Sequence, residues 1–157
     1  MSPAMLINAT IALAMFVLLG FACGRRPGHL TSSLAVALAI SLVFVSVLPK
    51  PDQLAAVLAV DAGVVAFMAH LARHSPPSIA EPARIIMAIG TFKIAFAVSG
   101  VLLDMDHNVR AAARNGAFVI QILVAGGMLD GLIARLGHRG RIIGARARGM
   151  FNHVEGE

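Results

Sequence analysis

The 157-residue chain is 58% hydrophobic and only 13% charged, with 13 Lys and Arg against 8 Asp and Glu and a formal net charge of +5. A water-soluble domain is typically about 45–50% apolar and about 25% charged. A soluble globular fold is therefore excluded: the excess falls into runs long enough to cross a ~30 Å hydrocarbon layer rather than into one larger core.

Nucleic-acid binding, the usual reading of a basic chain, is set aside too. The arginines stand at the ends of apolar runs and in the tail, where they set orientation and meet anionic lipid. The single cysteine, Cys23, excludes an intrachain disulfide and a multi-cysteine zinc site. Trp and Tyr are absent, so no Trp/Tyr belt marks the interfaces.

The expected fold is all-α, a polytopic membrane helix bundle over residues 1–136 followed by a basic cytoplasmic tail over 137–157. The first span runs from about Ala4 to Ala22. No Lys or Arg precedes Arg25, and Gly20-Phe21-Ala22-Cys23 is a poor lipoprotein-type cleavage site, so a retained helix is expected rather than a cleaved signal. Gly20 and Gly24 form a Gly-x-x-x-Gly spacing at its end. Gly24-Arg-Arg-Pro-Gly-His29 reads as a tight loop.

The second span, Leu30 to Leu48, has no charge inside, and Thr31, Ser32 and Ser33 are expected to cap its start. After the turn Pro49–Asp52 comes the third span, about residues 53–72, with Asp61 in its interior and His70, Arg73 and His74 at its end. Pro76, Pro77 and Pro82 then predict a loop from Ser75 to Arg84.

The fourth span, about 85–103, holds Gly90, Lys93 and Gly100, and Asp104–Asn108 reads as an acidic turn. The fifth, about 111–134, passes Arg114, Asn115, Gln121 and Asp130 and is the most polar. A four-span alternative demotes it to a half-buried helix; five are preferred because Gly116 to Ala134 is still 19 mostly apolar residues.

Orientation follows from cation counts in alternate loops. Nine of the 13 Lys and Arg fall in the first and third loops and the C-terminal region, against three (Lys50, Arg110 and Arg114) on the other side. That expects the C-terminus in the cytoplasm and the N-terminus outside, in a bacterial inner membrane.

An ionisable group at membrane depth is costly and is by default paired or functional. Helix rise puts Asp61 and Lys93 each ~13 Å from its nearer boundary, at similar levels on antiparallel neighbours, and an ion pair is expected between them. Asp130, ~7–8 Å from the boundary at Arg135, competes for the same lysine.

Lys93 shares a helix face with Gly90, Ala97 and Gly100, and Asp130 shares one with Gly126 and Gly127. Both charges are therefore expected to point inward on close-packing faces. Asp61 has only bulky neighbours on its face, and its inward orientation rests on the cost of exposing a carboxylate to lipid.

The bland reading of Asp61, Lys93, Gln121 and Asp130 is a buried network that fixes helix partners. The sharper one is a proton or ion relay through them, with His70 and His74 at the cytoplasmic mouth. His70 and His74, four apart, lack an evident third metal ligand. Asp104, Asp106 and His107 form a weak metal cluster better read as a solvated acidic turn.

In the tail, Arg139, Arg141, Arg146 and Arg148 face anionic lipid. No phosphate loop, nucleophile elbow or His-Glu-x-x-His occurs, and no cofactor is indicated. The expected function is non-catalytic. It is helix–helix association, as a homo-oligomer or an accessory subunit of a larger membrane complex. The alternative is a small proton- or ion-coupled transporter or channel using Asp61, Lys93 and Asp130.

Overall fold

A computed structural model describes residues 3–25 and 28–131, and among them every regular element is helical. Five helices follow in order: α1 Pro3–Arg25, α2 His29–Val47, α3 Lys50–His74, α4 Pro77–Leu102 and α5 His107–Ala125. Three helical stretches, His29–Val47, Asp52–His74 and Pro77–Leu102, are long and apolar enough to cross a membrane. They indicate a membrane location. α1 contributes a shorter apolar stretch, Leu13–Gly24.

The exposed faces carry the apolar side chains expected against hydrocarbon, among them Phe21 on α1, Val36 and Val43 on α2, and Phe92 on α4. In water such a surface would be an aggregation liability; in lipid it is the solvated face.

The chain forms two compact units, Met1–Gly127 and Met128–Glu157. Within the first, α4 packs against both α3 and α5, α2 lies on α3, and α1 touches α2 and α5. Leu34 of α2, Met68 of α3, Ile86 of α4 and Ile122 of α5 are fully buried. Gln53 ties α3 to the end of α2: its Nε2 donates to the carbonyls of Val45 at 3.0 Å and Leu48 at 2.9 Å.

Two helix boundaries and one cap differ from the sequence reading. The Ser75–Arg84 segment is not a loop, because α4 starts at Pro77 and runs through Pro82. Proline suits the first helical position, where its missing N–H has no partner to lose, and Pro82 forfeits one bond near the helix start.

The polar residues after Gly28 do not cap α2. Thr31 and Ser32 donate back to the Gly28 carbonyl, and Ser33 to that of Leu30. These hydroxyls therefore satisfy acceptors and leave the helix-start N–H groups uncapped.

The apolar run Gly116–Ala134 is not one helix. α5 ends at Ala125, and Gly127 takes φ 69°, a left-handed position that glycine adopts at helix ends.

Candidate functional site

The site is built where α3, α4 and α5 meet. Asp61 stands nine residues from Asp52 on α3, and Lys93 nine residues from Leu102 on α4. Those two positions are at the same end of antiparallel helices, so both groups lie ~13 Å in. Lys93 Nζ is 2.6 Å from Asp61 Oδ1, and each residue is 5% exposed. At this distance the contact is a charge-assisted hydrogen bond. The ammonium also sits over the Phe118 ring of α5, 5.1 Å from its centroid, so a cation–π contact adds a third helix to the pair.

The seam between α4 and α5 runs along one face of each. Gln121 Nε2 donates to the Ile86 carbonyl at 3.0 Å, across the seam. A Cβ at Gly90 would lie 2.7 Å from Val65 Cγ2 and 3.2 Å from Gln121 Nε2, so only glycine lets α3 and α5 approach α4 here. Nearer the other end, a Cβ at Gly100 would lie 2.7 Å from Arg110 Cδ and 2.9 Å from Cγ. The stem of Arg110 thus lies over Gly100. Gln121 joins Lys93 in this seam as the sequence reading expects, whereas Phe118 is missed there; its place three residues before Gln121, matching that of Gly90 before Lys93, is the feature that reveals it.

Among the described residues, two buried side-chain oxygens have no hydrogen-bond partner: Asp61 Oδ2 and Gln121 Oε1. The second leads to a prediction. Ile86 already has its regular helical donor, the N–H of Gly90, so losing Gln121 leaves no carbonyl stranded. Gln121→Met should remove one hydrogen bond and one orphaned acceptor together, and change stability by less than about 1 kcal/mol. Reversible unfolding in mixed micelles measures it; a loss of several kcal/mol contradicts this account.

Asp130 lies beyond the end of α5, is exposed, and belongs to the second unit. The glycine turn after Ala125 breaks the helical periodicity on which its expected face depended. His70 and His74 are exposed and stacked, ring centroids 4.5 Å apart, with His74 Nδ1 3.0 Å from the His70 carbonyl oxygen. Among the described residues, no three His, Cys, Asp or Glu side chains gather at one point.

In the acidic turn, Asp104 takes φ 50°, and the Asp106 carboxylate accepts from the Val109 N–H at 3.3 Å, holding the start of α5. The side chain of His107, and Arg139, Arg141, Arg146 and Arg148 of the tail, lie outside the described residues.

No family model, curated protein or solved structure matches this chain.

Proposed function

We propose that this is a small integral membrane protein that works by helix–helix association, as a homo-oligomer or as an accessory subunit of a larger membrane complex. The observation that carries this reading is a contrast between its glycines. Gly90 and Gly100 of α4 are filled by neighbouring side chains, whereas among the described residues nothing lies within 4 Å of a Cβ built at Gly20 or Gly24 of α1. Val17, Gly20, Phe21 and Gly24 line a shallow groove of about 580 Å³, and Phe21 is exposed. Helices in lipid associate through close backbone approach at small residues, and this chain has an unused site of that kind.

In this reading the chain crosses the membrane five times, with α1 and α5 as the first and last spans, the N-terminus outside and the C-terminus in the cytoplasm of a bacterial cell. The basic tail adheres to anionic lipid. The Asp61–Lys93 pair fixes which helices are neighbours, a use of buried charge known from other helical assemblies.

Cys23 makes the test direct, because it is partly exposed on α1 beside Gly24 and is the only thiol. Mild oxidation of the full chain in bilayers should give a disulfide-linked dimer. Gly20→Leu with Gly24→Leu should abolish the dimer without unfolding the subunit. A chain that stays monomeric at all protein-to-lipid ratios, with or without a partner complex, removes the proposal.

The second reading, a proton- or ion-coupled transporter, is favoured by the unpartnered Asp61 Oδ2 and Gln121 Oε1 in the bundle interior. Ion flux in sealed vesicles that depends on Asp61 would replace the first reading with this one.

A further inference from the structure

Residues Arg110, Arg114, Phe118 and Gln121 of α5 recur at four, four and three residues, so they occupy one face. That face is turned to α4: Arg110 lies on Gly100, Phe118 on Lys93, and Gln121 on Gly90 and Ile86. The register places Arg114 opposite the buried Ala97, between the first two contacts. Three cations thus descend the seam from the α4–α5 turn: Arg110 ~5 Å, Arg114 ~10 Å and Lys93 ~13 Å from the helix ends.

Only the deepest of them is neutralised, by Asp61. Arg110 and Arg114 are both half-buried, and among the described residues no carboxylate lies within ion-pair distance of either. Arg110 Nε is buried with no acceptor. Asp106, the nearest acid along the chain, directs a carboxylate oxygen to the Val109 N–H. A buried guanidinium N–H without an acceptor is costly, as at Arg110 Nε, and a planar donor fork is the geometry that binds a tetrahedral oxyanion.

We propose that the α4–α5 seam holds a phosphate group between Arg110 and Arg114, with Gly100 making room for the Arg110 stem. A membrane offers this chemistry from two sources, a lipid headgroup and free phosphate, and the level of the two arginines, one to two turns from the helix ends, suits a headgroup.

Nitrogen–phosphorus dipolar recoupling on the full chain with labelled arginine separates the sources. One sample is in phosphatidylcholine–phosphatidylglycerol bilayers; the other is in detergent free of phosphate, with inorganic phosphate added. Contact between both guanidinium groups and a lipid phosphorus assigns a headgroup, and contact with inorganic phosphate alone assigns the free anion.

Arg110→Gln and Arg114→Gln should each weaken binding of the same probe about tenfold, and remove the corresponding signal from among the other arginines. Arg110→Lys should lie between wild type and Arg110→Gln. No contact in either wild-type sample, with the Asp61–Lys93 pair still detected, overturns the proposal whatever the variants do.

Discussion

Lys93→Met is expected to destabilise the bundle by about 3–5 kcal/mol, the largest effect of any single substitution in the described residues. The loss is more than one ion pair. Lys93 touches Asp61 at 2.6 Å and covers Phe118, so its removal leaves a 5%-exposed carboxylate facing no cation inside an apolar bundle. The stranded charge, rather than the missing attraction, dominates the cost. It follows that removing both charges should cost far less than removing one. Asp61→Val with Lys93→Met is expected within about 1 kcal/mol of wild type, because desolvating the pair consumes most of what their attraction returns.

Unfolding of the two single variants and the double variant in mixed micelles completes the cycle. Additive losses would show that the two residues act independently and would contradict the pair as the organising contact. The double variant also separates the functional readings. A protein that works by association keeps assembling, whereas a transporter built on these charges stays folded and loses its flux.

The ion pair was readable because one ruler served both residues. Asp61 is nine positions from Asp52 and Lys93 nine from Arg84 on the opposite side, and in a ~30 Å layer two depths of ~13 Å from opposite faces lie at nearly one level. The rule failed where the helix did. Extending α5 through Gly126 and Gly127 gave Asp130 a face it does not have, although a glycine pair is itself a helix-stop signal.

The prolines before α4 predict a loop, but Pro77 starts the helix rather than delaying it. The sequence reading uses Arg110 and Arg114 for orientation and counts Arg114 among the polar residues of the fifth span, yet the first folds over Gly100 and the second lies half-buried on the same helix face. Their spacing from Phe118 and Gln121 was visible, but which helix that face meets depends on pairing of α4 with α5, which no local pattern encodes.

Gly90 is where that pairing should be most sensitive. A Cβ there would sit 2.7 Å from Val65 Cγ2, a distance that real carbon contacts do not reach, and 3.2 Å from Gln121 Nε2. Gln121 has a flexible end and can yield. Val65 is short and β-branched, held at χ1 by its own helix, and cannot swing aside. Any side chain at position 90 therefore moves α3 from α4, and the displaced seam holds the Asp61–Lys93 contact one turn away.

Gly90→Leu is expected to cost about 3 kcal/mol and to lengthen the α3–α4 separation, read as a wider distance between spin labels on the two helices. Gly116→Ala is the matched control, since nothing lies within 4 Å of its Cβ. There the gain in helix propensity should stabilise by about 0.5–1 kcal/mol. Equal responses at the two positions would mean that general glycine flexibility, not close approach of three helices, explains Gly90. Opposite signs are what the packing requires.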